Sequence, residues 1–367
     1  MTGFFKLLAC VMLLLVPYPL ILAQGDSFEP PSRESIEDRT FFSRLDDSLA
    51  EALPFQTRLR QLGLRLGLLG GQREQNDIFI SDNGLIKNID ATSEVRISQN
   101  VGAILRLAER IQIPTYLMLL PTASAILQEQ LPPYANIYNN QRQTIEDIYS
   151  QMSGQVTVAD VYPLLYNLRD EYLYYRTENN LTPQGGYYVY TVLGAKLVGR
   201  RELVELDQLD IQYLSEPYYG DLYQKLPYQN VRPDTLSLFR YQAYPREYLV
   251  THYGDEGVKT YHTLYPTHLA GLGQGPDVYL GGISAITTIR TTNAPPRSLL
   301  IFGDKTALAY LPFLANNYQD ITLVDLFQLT PTLSNRIQPD QYHQVLFAYS
   351  LETFDSDIPL RAERLLD

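Results

Sequence analysis

The sequence contains no tryptophan, one cysteine and four histidines in 367 residues. The cysteine, Cys10, lies inside an apolar leader. Once that leader is removed, the chain has neither a disulfide nor a cysteine nucleophile. His252, His262, His268 and His343 match no metal-binding spacing and read as structural or surface residues. Neither a metal nor a cofactor is expected. Basic residues are also short, 29 Lys and Arg against 41 Asp and Glu. The resulting net charge of −12 argues against nucleic acid and against polyanionic glycans as partners. No glycine-rich phosphate loop is present, because Gly271-Leu272-Gly273-Gln274-Gly275 lacks the strand before and the helix after that such a loop needs. What the chain does have is a core-forming share of hydrophobic residues, 45%, and 29 tyrosines. The tyrosines read first as core and half-buried sheet, with sugar stacking the sharper alternative.

The first residues look like an address. Lys6 precedes an apolar run from Leu7 to Leu22, broken by Pro17 and Pro19 and ending Ile-Leu-Ala at 21–23. This predicts a signal peptide cut after Ala23, or an N-terminal membrane anchor if it is retained. Residues 24–40 are polar and proline-containing, as a linker is. Gly25-Asp26-Ser27 within them is a decoy, since no strand precedes it and Pro30-Pro31 forbids a helix after it. Helical spacing follows at Leu45, Leu49 and Ala52, then at Phe55, Leu59, Leu62 and Leu66. The expected division is therefore a leader over 1–23, a linker with amphipathic helices over 24–71, and one large domain over 72–367.

Within that domain, helix and strand alternate. Asp77–Ser81 and Leu85-Ile86 predict a hairpin around Asp82-Asn83-Gly84. Thr92 or Ser93 caps a helix with Ile97, Val101, Ile104, Leu105 and Ala108 on its buried face. Thr115–Leu120 is an apolar strand, 138–151 a helix, Val156–Val158 a strand. Thr182-Pro183 opens a helix running to about Gly199. Ser298–Phe302, Asp320–Leu326 and Gln344–Ser350 are further buried strands. This order predicts an α/β fold with a mostly parallel sheet and helices on both faces. Between about 205 and 295, short runs such as Ser237–Gln242, Tyr248–Tyr253 and Val258–Tyr265 predict an inserted, antiparallel β-rich segment.

The most informative stretch is Ser298–Leu314. A buried strand ends at Gly303-Asp304, where Gly303 is expected to allow a sharp turn, and helical spacing begins at Lys305. Such a turn lifts one side chain off the sheet edge beside free backbone N–H groups, a natural mount for a nucleophile. Here that side chain is lysine.

Together these landmarks resemble the DHHW family of exported bacterial proteins, related to SGNH hydrolases and to periplasmic proteins that O-acetylate alginate. The resemblance spans nearly all of the chain after the leader. Ala52-Leu53-Pro54-Phe55 with Arg58, Ser81-Asp82-Asn83-Gly84-Leu85 and Leu119-Leu120-Pro121-Thr122 carry it in the first half. The name-giving Asp-His-His-Trp-Thr is flanked here by the matching Tyr174-Tyr175-Arg176-Thr177 and Thr182-Pro183-Gln184-Gly185, but reads Glu178-Asn179-Asn180-Leu181. A Gly-Gly-Asn-His block looks like Gly281-Gly282-Ile283-Ser284. The resemblance implies an SGNH-hydrolase-like three-layer α/β/α fold. It also implies a catalytic Asp, His and Ser at positions occupied by Glu178, Asn180 and Lys305, with Gly303, Asp304, Thr306, Asn179, Arg176, Thr182, Gly282, Ile283 and Ser284 as neighbours of the former site.

Asn180 has no nitrogen that titrates near neutral pH and so cannot act as a general base. Lys305 carries no hydroxyl to acylate, and its ammonium at a helix N-terminus calls for an acidic partner, Glu178 or Asp304. Thr306, a displaced hydroxyl, has no histidine beside it. The residues thus describe a pseudoenzyme, with Glu178 and Lys305 expected as an ion pair across the old site. Resemblance adds a cell-surface glycan or a membrane O-acyltransferase as partner, in the cell envelope. Two other readings stay open. One is an active O-acetyltransferase or esterase with a relocated site, Ser284 near His262 or His268. The other is a structural envelope protein without an open cleft near Lys305.

Overall fold

The computed structural model describes residues 67, 70–71 and 73–356, apart from 90–91, 134, 136–139, 153, 229, 256 and 273–274. The expected leader, linker and amphipathic helices of 1–66 lie outside these residues. Arg73–Leu226 and Asn230–Asp367 form one compact unit, in which all of the following lies; Met1–Gln72 with Pro227–Gln229 form another.

Strands β1 (Glu74–Gln75), β2 (Ile78–Ile80) and β3 (Leu85–Lys87) make a small antiparallel sheet. The β2–β3 turn is fixed by Ser81, whose hydroxyl accepts from the Gly84 N–H at 3.0 Å and donates to the Gly84 carbonyl at 2.9 Å. Helix α1 (Glu94–Ile111) starts where Ser93 accepts from the Arg96 N–H. Ile97, Val101, Ile104, Leu107 and Ala108, at i, i+4, i+7, i+10 and i+11, bury one face. The helix stops at Gln112, which turns left-handed with φ 51°. Strand β4 (Thr115–Leu120), α2 (Gln141–Gln151), β5 (Thr157–Val158) and α3 (Pro183–Leu197) follow. At α3 the Thr182 hydroxyl accepts from the Gly185 N–H at 3.1 Å, and Pro183 holds the first position.

Next come β6 (Leu209–Tyr218) and β7 (Asp234–Tyr241), then β8 (Tyr248–Gly254), β9 (Gly257–Tyr261), β10 (Ile286–Thr291), β11 (Ser298–Gly303), β12 (Asp320–Val324) and β13 (Gln344–Ser350). The main sheet has the order β5-β4-β13-β11-β12-β10-β8-β9. Its first five strands are parallel, and β10, β8 and β9 extend it antiparallel. The β-rich segment is therefore split: β6 and β7 pair as a separate ribbon, while β8 to β10 continue the central sheet. Strands β4, β11 and β13 are buried almost throughout, as parallel strands covered on both faces must be.

Chain order places the helices. The β4–β5 connection carries α2 one way along the sheet, and the β11–β12 connection carries the short Leu311–Leu314 helix the other way. By the right-handed rule for crossovers between parallel strands, the two helices fall on opposite faces, which gives three layers. Helix α1 contacts α2, and α3 contacts Leu311–Leu314. The expected helix from Lys305 is instead a 3-10 turn, Lys305–Ala309, before that four-residue helix.

Candidate functional site

The carboxyl ends of β4, β11 and β13 and the segment after β12 open on one cavity of about 310 Å³, lined by Thr122, Asn180, Lys305, Phe327 and Ser350 among others. This is where an open α/β sheet presents its ligands.

At the end of β11, Gly303 has no left-handed φ, so the bend owes nothing to that freedom. Glycine is needed there for space, since a Cβ would stand 2.8 Å from the Ala348 carbonyl oxygen of the neighbouring strand. The chain turns at Asp304. One carboxylate oxygen of Asp304 caps the 3-10 turn by accepting from the Thr306 N–H at 3.0 Å and from the Thr306 hydroxyl. The other accepts from the N–H and hydroxyl of Ser350, at 2.9 and 3.0 Å, tying the end of β11 to that of β13. The Thr306 hydroxyl is thus spent on Asp304.

The facing wall comes from residues 174–182, which fold back on themselves through a Tyr174–Leu181 bridge. A residue without any motif holds this loop. Asp234, 1% exposed, accepts from the N–H groups of Arg176 and Thr177 at 2.7 and 2.8 Å, and from the hydroxyls of Thr177 and Tyr172. Arg176 lies over the Tyr172 ring at 4.2 Å, and neither it nor Thr182 lines the cavity. The two walls meet closely. A Cβ on Gly186, in α3, would stand 2.0 Å from the Ala309 carbonyl oxygen.

This scaffold brings Glu178, Asn180 and Lys305 together. The Lys305 ammonium donates to Glu178 Oε1 at 3.0 Å, and Glu178 Oε2 accepts from the Tyr218 hydroxyl at 3.0 Å and the Asp221 N–H at 2.9 Å. Asn180 donates from Nδ2 to the Lys305 carbonyl at 3.3 Å, and its Oδ1 accepts from the Leu181 N–H at 2.8 Å. Asn179 donates to Glu352, itself ion-paired with Lys87. Burial pulls the Lys305 ammonium toward neutrality, but the Glu178, Asp221 and Asp304 carboxylates outweigh it and raise its pKa. Lys305 is accordingly a firm cation and no general base. Burial and then Glu178 push the Tyr218 hydroxyl up, so it remains a donor.

No histidine lines this cavity among the described residues. Gly282, Ile283 and Ser284 do not line it either. The histidine that Ser284 hydrogen-bonds is His252, whose Nδ1 lies 3.2 Å from the Ser284 hydroxyl and 3.1 Å from that of Thr287. His252 Nε2 lies 2.7 Å from the Leu280 carbonyl, so it carries the proton and Nδ1 accepts. Ser298 pairs similarly with His343 Nδ1 at 2.9 Å. Among the described residues no carboxylate bonds to either imidazole, and no cluster of three His, Cys, Asp or Glu side chains is disposed to hold a metal.

A mostly parallel sheet between helix layers, with its cavity at the carboxyl ends of the strands, defines an SGNH-hydrolase-like α/β protein. The chain belongs to the DHHW family: the model of that family, described as DHHW protein, matches residues 86–324. A DHHW family protein from Eubacterium siraeum is similar in structure, with 20% identity over 78% of this chain and 97% of that one and a TM-score of 0.62. PatB1 of Bacillus cereus, in a structure with a sulfonyl adduct, has 17% identity over 77% of this chain and 97% of its own, at 0.64. The O-acetyltransferase domain of Pseudomonas putida AlgJ gives 13% identity over 79% and 98% at 0.46, a likeness too loose to argue from. No curated protein matches the chain.

Proposed function

We propose that this chain is an exported pseudoenzyme of the DHHW family, whose strand-end cavity binds a cell-surface glycan or a membrane O-acyltransferase and serves polysaccharide O-acetylation without acyl transfer of its own. The observation that carries this reading is the Glu178–Lys305 ion pair. The residue following Gly303-Asp304 is a cation neutralised by a buried carboxylate, in a cavity whose wall offers asparagine and, among the described residues, no histidine. Triad chemistry needs a nucleophile within reach of a base. Export rests on the leader sequence; among the described residues no helix is long and apolar enough to cross a membrane.

The Asn180 side chain reaches the Lys305 backbone, so positions 180 and 305 stand within mutual reach. The test is p-nitrophenyl acetate hydrolysis by the purified domain and by the Asn180→His, Lys305→Ser double variant. The native protein should be silent, and the double variant should hydrolyse ester above background. Turnover by the native protein would overturn the proposal. The His252–Ser284 pair then supplies the second reading, and Ser284→Ala would have to abolish that turnover.

A further inference from the structure

A second cavity, of about 600 Å³, lies at the antiparallel end of the unit and shares no lining residue with the first. Strands β7 and β8, the segment after β9 and the short Leu311–Leu314 helix contribute its walls. Its volume falls in the range of small-molecule sites, about 300–1,000 Å³.

Its chemistry runs against that of the chain as a whole. In a protein of net charge −12, this cavity is lined by Arg240, Arg246 and His262 against a single carboxylate, Glu247. Among the described residues neither guanidinium has a carboxylate partner. Each sits over a tyrosine ring, Arg246 over Tyr241 at 4.7 Å and Arg240 over Tyr265 at 5.3 Å. A cation–π contact of this kind holds a guanidinium without using its N–H donors. Arg240 Nε is occupied by Gln212 at 3.0 Å. Arg246 is different: Nη1 donates to the Asn316 backbone carbonyl, while its Nε–H is buried with no acceptor. A buried donor left unmade is costly, and the Nε side of a guanidinium is one of the edges that take a carboxylate in a two-pronged grip. The Tyr248 hydroxyl, bonded to Asn316 at 2.8 Å, adds a further polar group and an aromatic face.

We propose that this cavity binds a saccharide bearing one carboxylate, gripped by the Nε edge of Arg246 and laid against the tyrosine wall. One carboxylate suffices, and a long polyanion would be repelled by the net charge. The inference does not depend on what the first cavity does.

The probe is D-glucuronate, titrated by calorimetry or ligand-observed NMR into the purified chain, with D-glucose and acetate as controls. Glucuronate should bind at least about ten-fold more tightly than either control, since each control lacks one half of the recognition. Arg246→Gln should weaken glucuronate about ten-fold or more with its thermal midpoint checked alongside. Arg240→Gln, which gives up the contact to exposed Gln212 and the one to the Tyr265 ring, should weaken it less and serves if Arg246→Gln does not fold. Equal binding of acetate would overturn the saccharide, and equal binding of glucose would overturn the carboxylate. Absence of glucuronate binding, or full affinity in a folded Arg246→Gln together with Arg240→Gln, would overturn the site.

Discussion

Lys305 and Glu178 share an ion pair of 3.0 Å but not a common environment, because the lysine side chain keeps 48% of its exposure and the glutamate 6%. The asymmetry decides what each substitution does. With Lys305→Met the carboxylate stays buried, yet it still accepts from Tyr218 and the Asp221 N–H. With Glu178→Ala those two donors lose their acceptor inside the protein while the lysine turns to water. Glu178→Ala should therefore cost more, about 2–3 kcal/mol against about 1 kcal/mol for Lys305→Met. Urea midpoints of the single and double variants check this, and a larger loss for Lys305→Met would refute it.

The pair also sets a pH window. The folded pKa of Lys305 lies above its ordinary 10.5, so the native state holds this proton longer than the unfolded chain does. The stabilisation is fully present below 10.5 and is lost as pH rises through the raised value. The stability gap between native protein and Lys305→Met should be flat through neutral pH and close only on the alkaline side. A gap that already closes below pH 9 would contradict this.

Gly186 lies inside a helix, where alanine is ordinarily the better residue by up to about 1 kcal/mol. Here Gly186→Ala should destabilise instead, by about 2 kcal/mol or more, because the new methyl would meet the Ala309 carbonyl oxygen at 2.0 Å, a backbone atom with no rotamer to yield. The same change would push the 174–182 wall away from Lys305. Denaturant unfolding gives the sign directly.

What the sequence disclosed follows the range of the forces involved. Buried parallel strands must be continuous apolar runs, so Thr115–Leu120 and Gln344–Ser350 stand in the chain as they do in the sheet. Helix caps are local, and Ser93 and Thr182 were readable for that reason. Ile286–Thr291 was not, although it joins the parallel and antiparallel halves of the sheet. Its identity as β10 comes from partners at 248–253 and 320–324, which no local pattern announces. The helical spacing after Lys305 misled because the side chains from Thr306 to Ala309 are buried by the surrounding fold rather than along one helical stripe. At the site, Glu178 and Lys305 were placed together through family resemblance. Asp234, which sets the loop bearing Glu178, lies 56 residues from it and belongs to no motif.

Asp234 shows how much a residue outside the cavity controls it. Its buried carboxylate gathers four donors from residues 172–177, and hydrogen bonds to a charged group are the strong kind. Asp234→Ala should cost about 3 kcal/mol or more, by stranding those donors in the interior. Asp234→Asn, which keeps one acceptor oxygen, should cost less. Because the loop carries Glu178 and Asn180, Asp234→Ala should also suppress any esterase activity gained by the Asn180→His, Lys305→Ser variant. Full activity in the triple variant would separate the loop from the site.

His252 gives the protein a second pH dependence, on the acid side. Burial lowers the pKa of its imidazole below the ordinary 6.5, with the Leu280 carbonyl opposing. The unfolded chain therefore takes up a proton that the folded chain refuses. Stability contributed by the neutral ring is complete above about 6.5 and drains away as pH falls from there toward the folded value. Asp160, Asp277 and Asp325 have raised pKa values, chiefly from desolvation, and pull the other way at lower pH. Total stability consequently does not isolate the histidine, but a difference does. His252→Gln retains a polar side chain among Leu280, Ser284 and Thr287 and removes the titration. The native protein should lose its advantage over His252→Gln progressively as pH falls below 6.5, measured by urea midpoints. An advantage that holds constant as pH falls would mean that the ring does not titrate differently in the folded and unfolded states.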